Sequence, residues 1–330
     1  MLARHAESLF WAGRYIERAD ATARLLDVTY HGILEATPYD VELPWRELLR
    51  VLRLEHDFDL RRETASASTV SGFLVLDHDN PGSIISAVER GRDNIRSVRE
   101  LVPTELWEAV NALYLDLIAR NLRRDIDQEP YVLYHLVKRR CQRIAGVATE
   151  TMPREDGWRF LRMGWSFERA EMSCRLLDVR YSTPVATPDF DHWESTLKSA
   201  SALEAYRRAH RSSMDPMDVA SFLLLSRTFP RSVLFCLRRA ETELGYLSDP
   251  GAPLSRPERL LGRVRADLEF TDVREVTAAG LPAFLDRLQH AVRQVAEAVA
   301  LQYFRNSQEP MISALAFHPA GGPPAAGAEA

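Results

Sequence analysis

Glu17 and Arg18 stand side by side in a segment, Leu9-Phe-Trp-Ala-Gly-Arg-Tyr-Ile-Glu-Arg-Ala-Asp20, that is otherwise largely apolar. At helical spacing Arg14, Glu17, Ala21, Arg24 and Val28 share one face, with Asp20 and Asp27 at its edge. Arg18 points about 100° away from Glu17 on an ideal helix, so the two serve different neighbours. The flanking Leu9, Phe10, Ile16, Ala19, Ala23 and Leu26 require a largely buried helix. A charge there is costly unless it is paired.

Three kinds of chemistry fit such a row. Planar guanidinium forks hold carboxylates or phosphates, a task open to Arg14, Arg18, Arg24, Arg92 and Arg96. In that case Glu17 and Asp93 orient the arginines or receive a substrate amine. Alternatively, burial raises the pKa of Glu17 or Glu168 and makes it a general acid/base catalyst. In the third reading every charge pairs internally and the row fixes helix register. The row is written a second time, as Glu168, Arg169, Glu171, Arg175 and Asp178, with Trp165 where the first copy has Arg14. Arg92, Asp93 and Arg96 crowd one further helical segment, preceded by Asp77-His-Asp-Asn-Pro-Gly-Ser83. Its counterpart Leu237-Arg-Arg-Ala-Glu241 keeps fewer charges. The first half therefore carries the richer site and the second the more structural one.

The elements that position these residues are helices. Alternating strand patterns are almost absent, and helical spacing predicts helices near 2–34, 44–56, 69–77, 81–101, 103–124 and 130–151. A second set is predicted near 154–182, 189–210, 216–226, 230–246, 256–270 and 279–306. Asn80-Pro81 and Asp215-Pro216 each read as a cap followed by a first-turn proline, a role that also suits Pro44, Pro103, Pro153 and Pro230. A shift of 151 positions lays Gly13-Arg-Tyr-Ile-Glu-Arg-Ala-Asp20 on Gly164-Trp-Ser-Phe-Glu-Arg-Ala-Glu171, and Arg24-Leu-Leu-Asp-Val28 on Arg175-Leu-Leu-Asp-Val179. A shift of 149 lays Phe73-Leu-Val-Leu76 on Phe222-Leu-Leu-Leu225, Pro81 on Pro230 and Ser83 on Ser232, and Ala36-Thr-Pro38 recurs as Ala186-Thr-Pro188. Self-similarity of this kind sets the fold expectation. It is an all-α body of about twelve helices in two tandem six-helix pseudo-repeats, 1–152 and 153–317, forming one domain over 1–317. The stretch 318–330 offers nothing to bury and reads as a disordered tail.

Composition narrows the function classes. The 330 residues are 46% hydrophobic and 27% charged with a net charge of −5, which argues against a broad basic surface for nucleic acid or anionic membrane. Lys138 and Lys198 are the only lysines among 42 basic residues, leaving little room for Schiff-base or P-loop chemistry. The run Lys138-Arg-Arg-Cys-Gln-Arg143 suits a phosphate or, equally, a solvated face against an acidic partner. Cys141, Cys174 and Cys236 sit in apolar helical segments as small hydrophobes. No Glu-x-x-His, His-x-x-x-His or His-Glu-x-x-His spacing occurs, and Asp77-His-Asp79 and His56-Asp-Phe-Asp59, which could each touch a cation, read as solvated helix-capping loops, so neither a metal nor a cofactor is expected. The charged start and the lack of an apolar run approaching about 18 residues point to a cytoplasmic chain.

Together these residues resemble the alpha-E domain family of bacteria, helical proteins with a Glu-Arg motif. The resemblance runs through Leu9–Asp20, Asp79-Asn-Pro-Gly-Ser-Ile84, Gly91-Arg-Asp-Asn-Ile-Arg-Ser-Val-Arg99, Trp107-Glu-Ala-Val-Asn111 and Gly164–Glu171. Gly91 departs from the family's usual alanine. Trp165-Ser166 departs from its Gly-Arg-x pattern, which leaves the second copy without an arginine there. The resemblance implies context more than chemistry. Such proteins are typically encoded beside, or fused to, a circularly permuted ATP-grasp protein, often with a transglutaminase-like protein and sometimes a proteasome-like peptidase. ATP-grasp enzymes activate carboxylates as acyl phosphates and join them to amines. The expected role is thus an accessory component of a peptide or amide ligation system. It would bind the ligase or a peptide-like substrate through Arg14, Glu17, Arg18, Arg24, Arg92, Asp93, Arg96, Glu168, Arg169 and Arg175.

Overall fold

In the computed structural model, which describes residues 1–35, 42–61, 63–182, 190–210 and 214–304, every regular element is helical. The first half contains α1 (Ala3–Glu35), α2 (Leu43–Leu52), α3 (Glu55–Asp59), α4 (Ala67–Val75), α5 (Ile84–Ser97), α6 (Thr104–Ile118), α7 (Leu122–Gln128) and α8 (Pro130–Thr151). The second contains α9 (Asp156–Ser182), α10 (Phe190–Ser199), α11 (Leu203–His210), α12 (Pro216–Leu225), α13 (Val233–Gly245), α14 (Arg256–Glu269) and α15 (Val273–Tyr303). The repeated Ala-Thr-Pro and the 318–330 tail lie outside the described residues.

Three predicted helices are each two. Arg53 (φ 56°) ends α2 and Ser201 (φ 53°) follows α10, both in the left-handed conformation that stops a helix. Asn121 caps α7 by accepting from Arg124 N, which separates it from α6. Pro153 lies three residues before α9, Pro103 stands at the cap position of α6, and Pro81 and Pro230 do not open helices as expected either. Asn80 Oδ1 instead accepts from Gly82 N to make a turn, and the helices begin one cap later, at Ser83 and Ser232. Near the end of the chain the helical segment starts at Val273, earlier than predicted, and is broken at Gly280 (φ 109°).

α1 and α9 form the centre. α1 is buried on all sides from Leu9 to Asp27, as befits a helix surrounded by others. Contacts advance in the same direction along both helices, from Leu9 beside Gly157, to Gly13 beside Leu161, to Arg18 beside Glu168, so the two run parallel. They cross at two glycines. A Cβ on Gly13 would overlap the Leu161 carbonyl oxygen and come within 3.2 Å of Trp165 N. One on Gly164 would overlap the Phe10 carbonyl oxygen and come within 3.1 Å of Arg14 N. The two contacts mirror each other, and glycine is what lets the backbones touch.

The surrounding layers follow the same plan on both sides. α5 and α8 pack on α1, with α6 lying across both; α13 and α15 pack on α9, with α14 across both. α2 also reaches over to α9, while α10 lies on α1, so each half covers the other's central helix. One continuous core results, including five of the six tryptophans, with Trp107 partly buried against it. Among the described residues no helix is long and apolar enough to cross a membrane.

Candidate functional site

The close approach at Gly13 and Gly164 brings the two Glu-Arg pairs, one turn further along, against each other. Each glutamate pairs with the other copy's arginine. Arg18 clamps Glu168 with Nε on Oε1 at 2.7 Å and Nη2 on Oε2 at 3.1 Å. Reciprocally, Arg169 Nη2 lies 2.8 Å from Glu17 Oε2. The roughly 100° between adjacent side chains lets one motif offer an acceptor and a donor to different residues of its partner helix.

A second pair of arginines completes the neutralisation from unequal places. Arg14 donates Nε to Glu168 Oε2 at 2.7 Å and sets Nη2 2.8 Å from Glu171 Oε1. α9 has Trp165 at the position corresponding to Arg14. The matching demand, from Glu17 and Asp20, is met by Arg231 in the turn before α13. Its Nη1 donates to Glu17 Oε1 and its Nη2 to Asp20 Oδ2, the latter at 2.8 Å. The next helical turn closes each side with an i,i+4 bond, Arg24 Nη2 to Asp20 Oδ2 at 2.6 Å and Arg175 Nη2 to Glu171 Oε2 at 3.1 Å.

The centre of this lattice is sealed, with the Arg14 and Glu168 side chains each 1% exposed, while Arg169 and Arg231 at its margin are each 18% exposed. Burial alone would raise the Glu17 pKa, but the Arg169 and Arg231 charges overturn that and bring it down to about 2. Glu168 is held low against burial by Arg18 and Arg14. Burial acts on Arg14 as well, and Glu171 and Glu168 outweigh it and push its pKa up. Arg175 is the exception: burial dominates over Glu171 and Glu168, bringing it down to about 10. Carboxylates fixed in the ionised state between arginines hold helices together and have no proton to donate near neutral pH.

Of the residues expected at one site, the structure brings together Arg14, Glu17, Arg18, Arg24, Glu168, Arg169 and Arg175. It does not add Arg92, Asp93 and Arg96. α5 meets α1 through Gly91, whose added Cβ would lie 3.4 Å from Ile16 Cγ1. Arg92, one residue on, is rotated toward α6, where Nε donates to Asn111 Oδ1 at 2.8 Å and the guanidinium lies over Tyr114 and Trp107. Asp93 and Arg96 are exposed and pair loosely with each other at 3.6 Å. Arg231 was not anticipated; its only signal was a basic residue beside the repeated Pro-x-Ser cap, where the first copy has Gly82. The three cysteines are buried and form no disulfide, Cys236 Sγ donating to the Pro230 carbonyl oxygen, and burial raises each thiol. Among the described residues no group of three or more His, Cys, Asp or Glu could hold a metal ion.

The cross-paired motif agrees with what comparison with known proteins finds. Residues 1–304 match the Alpha-E family, described as a predicted alpha-helical domain with a conserved ER motif. Uncharacterized proteins of Mycobacterium bovis and Mycobacterium tuberculosis (strain CDC 1551 / Oshkosh) are each 29% identical over 313 residues, covering 85% of this chain and 34% of the relative. The chain thus spans about a third of the length of the curated relatives it matches. No solved structure matches it significantly. On the extent of the family match, and with two Glu-Arg pairs interlocked at its centre, the chain belongs to the Alpha-E family.

Proposed function

We propose that this chain is a non-catalytic, cytoplasmic accessory unit of an ATP-grasp-linked amide-ligation system, built as two copies of one helical repeat. It would bind the circularly permuted ATP-grasp partner or a carboxylate- or phosphate-bearing, peptide-like substrate, with a transglutaminase-like protein as a further partner. The observation that carries the non-catalytic reading is the sealed Glu-Arg lattice, in which Glu17 and Glu168 are ionised and bonded on both oxygens. A general acid at either position would need a raised pKa and access to substrate, and neither residue has these. In this reading the lattice sets the mutual position of α1 and α9, and ligands are met elsewhere on the surface. The ligation setting rests on the neighbourhood in which proteins of this family are usually encoded. A helical unit that makes up about a third of longer relatives also suits a part that works beside other domains.

The test is co-expression of the tagged chain with the ATP-grasp protein of the same genome, followed by mass spectrometry of ATP-dependent products with and without the chain. Co-elution, together with an amide product that falls when the chain is omitted, is the expected result. The proposal fails if the chain turns over a substrate alone, or if the partner neither co-elutes nor changes its products.

A further inference from the structure

Beside the last turns of α1, helices α8, α10 and α11 leave a cavity of about 440 Å3, within the usual size range of small-molecule sites. Both lysines of the chain line it. Lys138 Nζ donates to Asp27 Oδ2 at 2.5 Å, and Lys198 Nζ lies 2.9 Å from Glu194 Oε1. Arg24 forms part of the wall. Its Nη2 is committed to Asp20, but its Nε is buried with no partner among the described residues. A buried donor left unpaired is costly, which marks a place where an acceptor would be welcome.

The corresponding place in the second half shows why this space is open. There Arg175 stands for Arg24, Asp178 for Asp27 and Gln289 for Lys138, while α2 supplies Glu47 and Arg53 where α10 and its following turn supply Ser195 and Ser201. Arg53 and Ser201 share a left-handed backbone, so the two sides differ in side chain and not in chain path. Arg53 Nη2 donates to Gln289 Oε1 at 2.7 Å, and its charge acts on both Asp178 and Arg175. Glu47 Oε2 accepts from Arg180 Nη2 at 3.1 Å. On the second side a carboxylate and a guanidinium of the protein itself stand at the corresponding positions. On the first, two serines leave the space open and bring hydroxyls to its wall.

The charges along the cavity are mixed. Arg24, Lys138 and Lys198 are faced by Asp27, and Glu35 and Glu204 stand exposed at its edge. A polyanion would meet three carboxylates, whereas a compact molecule with one charge of each sign meets complementary groups. We propose that this cavity is a binding site for a small zwitterion of the amino-acid or short-peptide class. Its carboxylate would be held by Arg24, Lys138 and the Ser195 and Ser201 hydroxyls, and its ammonium by Glu35 and Glu204. The site does not depend on the ligation reading, and its test uses no ligase.

The experiment is calorimetric titration of the full chain with alanylalanine, its C-terminal amide, its N-acetyl form and inorganic phosphate. The free dipeptide binds saturably, and each blocked form binds at least tenfold more weakly. The variant Ser195→Glu/Ser201→Arg, which copies the second side, loses at least tenfold in affinity. A second readout needs no variant: reductive 13C-methylation labels only Lys138, Lys198 and the Met1 amine. The two lysine signals shift together on dipeptide addition, while the Met1 signal, beside Asp156, stays fixed. Absence of saturable heat with unmoved lysine signals overturns the proposal. So does equal affinity of the folded double variant, and so does binding of phosphate but not of the dipeptide.

Discussion

If the Glu-Arg motif works by exchanging partners between α1 and α9, then residues adjacent in sequence are energetically less coupled than residues 150 positions apart. Glu168→Gln tests this most sharply. Glu168 accepts from Arg14 Nε at 2.7 Å, Arg18 Nε at 2.7 Å and Arg18 Nη2 at 3.1 Å. An amide keeps one acceptor oxygen and turns an NH2 group toward at least one guanidinium. Two unit charges about 4 Å apart interact by about 4 kcal/mol at an effective dielectric of about 20, and desolvation offsets much of that. Breaking one partner of a buried pair nonetheless costs about 3–5 kcal/mol, because the other charge stays buried. Guanidinium chloride unfolding followed by far-UV circular dichroism should register that loss. Double-mutant cycles then apportion it. Arg18→Met with Glu168→Gln, and Glu17→Gln with Arg169→Met, should each show coupling of about 2 kcal/mol or more. Glu17→Gln with Arg18→Met should stay below about 1 kcal/mol. Coupling within the adjacent pair equal to that across the helices would refute the exchange.

Gly13→Ala and Gly164→Ala should each destabilise by about 2 kcal/mol or more, since the new methyl meets a carbonyl of the facing helix and overpacking outweighs the helix-propensity gain. Gly146→Ala, with nothing within 4 Å in α8, should be neutral or stabilising by up to about 1 kcal/mol in the same unfolding assay. Because the Glu17 and Glu168 pKa values are lower in the folded chain, their stabilisation is fully present above the ordinary carboxylate pKa of about 4.5 and is lost as pH falls toward about 2. Melting temperatures between pH 7 and 3 should therefore drop, and drop less in Glu17→Gln. Cys141, Cys174 and Cys236 should resist iodoacetamide in the native chain and react fully in denaturant, as read by intact mass; native labelling would contradict their burial.

The helical content, the buried charge row and the matching of Glu17-Arg18 with Glu168-Arg169 were legible because helical periodicity is local and a recurring register exposes counterpart positions. Which charge meets which was not legible, since it depends on how α1 and α9 lie against each other. Gly13 and Gly164 decide that, and their spacing alone does not distinguish a close crossing from a helix break. The charge crowded into the α5 sequence points to Arg92 as a member of the row. One step of about 100° from Gly91 turns it to α6 instead. Arg231 lies in a turn 214 positions from Glu17, where no periodicity applies. The cavity was invisible because it arises from two serines that no motif singles out.

Arg14 and Arg231 separate what the fold demands from what it leaves free. Each central helix carries an acidic pair one turn apart, Glu17 with Asp20 and Glu168 with Glu171, and each pair is met by three arginines. Arg24 and Arg175 close the pairs within their own helices, and Arg169 and Arg18 arrive from the facing one. The third comes from α1 itself in one case and from the turn before α13 in the other. The second copy has Trp165 in place of Arg14, 2% exposed and packed in the core, so beyond Arg169 α9 has no second guanidinium to return to Glu17 and Asp20. Had Arg231 not stood where the first copy has Gly82, Glu17 would be buried with one arginine and Asp20 with one. That is the kind of deficit that costs several kcal/mol. The charge requirement is kept on both sides while the residues that meet it differ, which is the mark of a structural demand. At Ser195 and Ser201 the Glu47 and Arg53 side chains of the other side are absent, and the cation beside Asp27 comes instead from Lys138 of α8. The core tolerates that loss, so the space is available to a ligand, and the frame that holds it in place is the interlocked Glu-Arg lattice.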